Sequence, residues 1–213
     1  ADPTDENAQY RYKRNLSFRN QIKELSVVAV FDLFKNEATY ISRVKWTPYA
    51  YLGAAGFINA PQAQAPATDL NGAPLAEAGK WVKLRDLGTE GQYSTLGPTD
   101  ANAGITPYKV VQFAIPFGAG VKFRLNEVMD LWADIGYRYT FTDYLDDVSQ
   151  NYVGLEKLKS PLAQAMSYRT NELSGYPLNP VTTPSGIVVE AGYGHENAPT
   201  APDPFNMRGS KND

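Results

Sequence analysis

From Val111 to Leu125 every odd-numbered residue is apolar: Val111, Phe113, Ile115, Phe117, Ala119, Val121, Phe123 and Leu125. The even positions hold Gln112, Ala114, Pro116, Gly118, Gly120, Lys122 and Arg124. A strict period of two describes a strand with one apolar face and one polar or small face. Strands in soluble proteins are typically ~5–6 residues long, so a one-faced strand of this length calls for an apolar medium wider than an ordinary core. A bilayer is such a medium, because barrel strands alternate lipid-facing apolar residues with lumen-facing polar ones over about 9–11 residues.

A partner follows at once. Beyond a tight connection at 126–130, the odd positions Leu131, Ala133, Ile135, Tyr137, Tyr139 and Phe141 are apolar or aromatic. Asp134, Gly136, Arg138, Thr140 and Thr142 make the opposite face, broken by Trp132. Two long strands joined by so short a link pair antiparallel. Tyr137, Tyr139 and Phe141 fit an interfacial aromatic girdle, in which amphipathic rings sit at headgroup level. The competing arrangement is a long hairpin in a soluble sandwich, where Lys122, Arg124, Asp134 and Arg138 would face water without cost.

Mean hydropathy is -0.40 and no apolar run approaches ~18 residues, which excludes a helical span. A barrel escapes that test because its strands are half polar. A net charge of -3 argues against a nucleic-acid footprint. The absence of cysteine removes disulfides, thiol catalysis and zinc-thiolate sites. The single histidine, His195, stands in a Gly/Pro-rich stretch with no nucleophile signature around it, and reads as a loop residue rather than a catalytic base.

The same alternation marks two earlier strands, giving expected spans at Leu16–Phe34, Trp46–Asn59, Tyr108–Asn126 and Leu131–Asp143. In the first, apolar parity shifts between Ile22 and Leu25, which predicts a β-bulge near Lys23–Leu25. The connections alternate short and long, as in outer-membrane barrels with short periplasmic turns and longer outer loops. The ends carrying Phe34/Trp46 and Leu125/Leu131 are therefore expected to face the periplasm. Segments 1–14, 60–107 and 150–213, rich in Ala, Pro, Gly and Asn, are expected to be solvated outer loops, ordered only in part. The expected fold is all-β, an antiparallel transmembrane up-and-down barrel of about eight strands. Four strands cannot close a cylinder in hydrocarbon, so the sequence reads as an incomplete portion of a single barrel domain.

Five strings resemble the PorG-like outer-membrane β-barrel family of Bacteroidota, which is associated with the type IX secretion system. They are RNLSFR (Arg14–Arg19), LGTEGQ (Leu87–Gln92), AIPFGAGVK (Ala114–Lys122), YRYTFTDYLDDVS (Tyr137–Ser149) and MRGSKND (Met207–Asp213). The resemblance implies an eight-stranded barrel in the bacterial outer membrane, in contact with its lipids. It also implies three further strands before the first string and a closing strand after the last. By the same resemblance the protein anchors the periplasmic ring lipoprotein of the secretion machine, with no catalysis and no cofactor. The alternative is an orphan barrel that acts in adhesion or ligand binding through its long outer loops.

Two clusters carry chemistry. Asp143, Asp146 and Asp147 could hold Ca²⁺ through oxygen ligands, but no EF-hand pattern is present, and a solvated or Arg-paired acidic rim accounts for them more simply, with Arg14 and Arg19 as candidate partners. Lys122, Arg124, Asp134 and Arg138 share lumen parity. Because side chains just fill an eight-stranded interior, these charges are expected to pair as a plug, with Glu24 and Asp32 as further partners, rather than line a conducting pore. The adjacent pair Asp146/Asp147 cannot flank one glycosidic bond from a strand, since neighbouring side chains point to opposite faces.

Overall fold

The computed structural model describes residues 11–34, 44–177, 179–191 and 208–209. His195 and most of the 35–45 connection lie outside them. The chain divides into two compact units, one comprising Ile22–Asn59 and Val110–Thr142, the other the segments Ala1–Gln21, Ala60–Lys109 and Asp143–Asp213.

The first unit is a four-stranded antiparallel sheet of β1 (Lys23–Asp32), β2 (Trp46–Ile58), β5 (Val111–Arg124) and β6 (Asp130–Thr140), in the order β1-β2-β5-β6. All four expected long strands are present. The β5–β6 hairpin closes where Asn126 Oδ1 accepts from the amides of both Val128 and Met129, each at 2.8 Å, an Asx-turn that needs only a short polar side chain. Pro116 lies in the interior of β5, where it can donate nothing to a neighbour. The β2–β5 ladder accordingly runs from Trp46↔Phe123 to Leu52↔Phe117 and resumes only at Ala55↔Ala114.

The β1 boundary differs from expectation. The strand starts at Lys23 with a single parity, and Arg19 instead forms a bridge with Gln62, Arg19 N donating to Gln62 O at 2.7 Å and Gln62 N to Arg19 O at 2.8 Å. The parity shift near Ile22 therefore marks passage from one unit into the other, not a bulge. Likewise β6 ends at Thr140 rather than Asp143.

The long connections are more ordered than their composition suggests. In the second unit β3 (Gln62–Gln64) pairs with β4 (Trp81–Lys83), and β7 (Pro180–Thr182) with β8 (Val188–Glu190). A helix, Pro161–Ser167, begins with Ser160 accepting from Ala163 N and proline in its first turn, a start signal that satisfies one orphan amide. Tyr152, Val153, Leu155, Tyr168, Ile187 and Val189 form a buried cluster, and Ala63, Ala65, Leu84 and Met166 a second one. These segments bury apolar side chains against one another, so the expectation of partly ordered solvated loops does not hold for the described residues.

Candidate functional site

The register of the sheet sorts its side chains into two faces. On one lie the odd residues of β1, β5 and β6 together with the even residues of β2, because Leu25 stands opposite Gly56, Phe113 opposite Gly56 and Phe117 opposite both Leu52 and Tyr137. Apart from Lys23 at its margin, this face is apolar throughout, and it is open: Leu25 is 82% exposed, Phe113 66% and Ile135 87%. A typical monomer's largest apolar patch covers about 300–600 Å², and here four adjacent strands contribute. At one end Phe34 packs edge-on against Trp46 at 5.3 Å, and at the other Tyr139 packs against Phe141 at 5.2 Å. Tyr137 lies opposite Phe117 at the middle of β5, so Tyr139 and Phe141, rather than Tyr137, carry the aromatic end of β6.

The opposite face carries the charges, and they meet. Lys122 Nζ lies 2.5 Å from Asp32 Oδ1, and Arg138 Nε 2.9 Å from Glu24 Oε2. Both carboxylates come from β1, the two named as possible partners from parity. Asp134 does not take a cation: Tyr49 donates to it at 3.0 Å and Tyr51 at 3.4 Å. Trp132, the apparent flaw in the polar pattern, has Lys122 Nζ 4.4 Å from its ring centroid, a cation–π contact. Arg124 shares this face at the hairpin end. The Arg138–Glu24 pair joins the two edge strands. Strands lie about 4.8 Å apart, so edges three intervals apart touch only if the sheet curls toward its polar face. Glycines permit that curl. A Cβ on Gly120 would lie 2.7 Å from the Tyr49 ring and 2.5 Å from Ala133 O, and one on Gly136 would overlap the Tyr51 hydroxyl.

The second unit holds a buried polar cluster that parity reasoning did not find. Glu90, Asp147 and Arg208 are almost wholly buried. Glu90 Oε1 accepts from Ser149 N at 2.9 Å, Gln150 N at 3.1 Å and Arg208 Nη1 at 3.3 Å. Arg208 Nη1 also donates to Asp147 O at 2.6 Å, while Thr89 and Tyr108 donate to the Asp147 carboxylate at 2.5 and 2.7 Å. Arg14 donates to the Arg208 carbonyl. Burial pushes Glu90 up to about 7 against the opposing pull of Arg208 and the two amides, and raises Asp147 for the same reason. The Tyr108 and Tyr144 hydroxyls are raised far above their ordinary value, by burial first and then by the neighbouring carboxylates.

Among the aspartates considered for Ca²⁺, Asp147 has both oxygens engaged by Thr89, Tyr108 and Arg208. The described residues contain no cluster of three or more side chains suited to a metal. Of the three aspartates, Asp147 is paired with an arginine, Arg208. Four of the five quoted strings contribute to this one cluster: Arg14, Thr89 with Glu90, Asp147 with Ser149, and Arg208. The chain finds no match among protein-family profiles, curated proteins or solved structures.

Proposed function

We propose that the four-stranded sheet is wall of an outer-membrane β-barrel, and that the protein is a non-enzymatic anchor for the periplasmic ring of a type IX secretion machine. The observation that carries the membrane part is the sorting of the sheet into an open apolar face and a curled face whose charges pair across it. From Val111 to Phe123 the apolar band of β5 runs about 40 Å along the strand at about 3.3 Å per residue. With the usual tilt of about 45° its height is about 28 Å, close to the ~25 Å apolar band of such barrels. Among the described residues β1 and β6 are the edge strands of the sheet, and hydrocarbon does not tolerate an open edge. Further strands pairing with both edges would complete the cylinder. The paired charges, and Tyr49 and Tyr51 donating to Asp134, favour a filled interior over a conducting pore.

The anchor role rests on the resemblance alone. A second reading, binding or adhesion through the long connections, is favoured by their folding into a unit with its own core. The two readings depend on opposite ends of the strands. Replacing residues 35–45 and 126–130 in the correctly inserted protein is expected to abolish co-purification with the ring lipoprotein, while shortening the surface stretch 69–79 leaves it intact. Ring co-purification that survives both turn replacements sinks the anchor.

A further inference from the structure

Within the second unit a cavity of about 310 Å³ opens between the helical turn at 11–14, β3, the Pro161–Ser167 helix and Arg208. One wall is apolar, made by Leu16, Leu84, Val148 and Met166; Ser17 lies on its rim. The rest is cationic. Among the described residues, Arg11, Arg14, Arg169 and Arg208 line it together with one carboxylate, Asp146. Arg169 is held by Glu172 at 2.8 Å and Arg208 by Glu90 and Asp147, so these two are fixed in place.

The orientation of Arg208 leaves something undone. Its Nη atoms are engaged, but Nε, on a side chain 1% exposed, is a buried donor with no acceptor among the described residues. Buried N–H groups are almost always satisfied, and an orphan in a cavity wall points to an acceptor that the cavity admits. Guanidinium groups pair with carboxylates and phosphates alike, and the apolar wall beside them suits an acid carried on a hydrocarbon body. A volume of about 310 Å³ stands at the lower end of ligand pockets and suits a small organic acid.

We propose that this cavity binds the carboxylate of a small amphipathic acid, with the acid group among the arginines and the hydrocarbon body on Leu16, Leu84 and Met166. The site lies within one unit and does not depend on the membrane reading. The test is titration calorimetry of the full chain in detergent with hexanoate, hexanol and hexylammonium. Hexanoate is expected to bind at least about tenfold more tightly than either analogue. Ser17→Trp, which fills the exposed rim, is expected to abolish the signal, and Arg11→Gln, also at an exposed position, to weaken it about tenfold. Because detergent partitioning is the same in every variant, hexanoate heat that persists in Ser17→Trp overturns the site. Equal affinity for all three probes, or no saturable binding of hexanoate to a protein that stays folded, overturns it as well.

Discussion

Arg208 joins residues that are distant in sequence, being separated from Glu90 by 118 positions and from Arg14 by 194. Removing one partner of a buried ion pair leaves the other charge uncompensated and typically costs about 3–5 kcal/mol. Arg208→Met is therefore expected to open the second unit by about that amount, seen as accelerated hydrogen exchange at residues 147–153 while the sheet stays protected. Adding Glu90→Gln and Asp147→Asn to that variant is expected to recover much of the loss. Glu90 also gives stability a pH dependence of definite sign. Its carboxyl holds its proton up to about 7 in the folded unit, well above the ordinary 4.5. Its contribution is thus fully present below about 4.5 and lost as pH rises through about 7. Denaturation midpoints for the second unit should fall over that window, and Glu90→Gln should flatten the slope. An unchanged slope would place the titration elsewhere.

Within each strand, parity decides what a substitution does. Ile135 lies on the open apolar face, and an arginine near the midplane of such a face costs about 2–4 kcal/mol. Ile135→Arg is expected to lower the fraction inserted into vesicles, whereas Ser26→Lys, on the charged face, is expected to be tolerated. Gly120→Val pushes against Tyr49, Asp134 and a backbone carbonyl together, and overpacking of that kind costs about 1–3 kcal/mol. Heat-modified gel mobility reads both effects. The faces of β5 and β6 were legible from sequence because a two-residue period needs no knowledge of distant partners. The same parity marked Glu24 and Asp32 as possible partners for the cations, but which cation each takes depends on the register across four strands, which the sequence does not display. Tyr49 and Tyr51 as the partners of Asp134 did not, because the mixed small and apolar faces of β2 hid which parity faced the charges. The second unit was illegible for a related reason. Its strands are three residues long and its buried contacts span up to 194 positions, so no local period announces them. The quoted strings marked the right residues without saying that they touch.

At the scale of the molecule, antiparallel order sends the connections before β1, between β2 and β5 and after β6 from one end of the sheet, and the 126–129 turn from the other. A chain without cysteine suits single-site labelling. In intact cells an impermeant thiol reagent is expected to modify Asn71→Cys but not Val128→Cys, and to reach Val128→Cys once the outer membrane is permeabilised. The reverse pattern would invert the topology. The two-faced sheet also restricts how its gene can change length. Deleting a single codon inside β5 would turn every later side chain of that strand through half a rotation, setting Lys122 and Arg124 on the apolar face and Phe123 on the charged one. Losing two codons shortens the strand yet keeps its phase. Descendants of this sequence should therefore differ in strand length by even numbers of residues, while the 69–79 stretch of the second unit varies by any number.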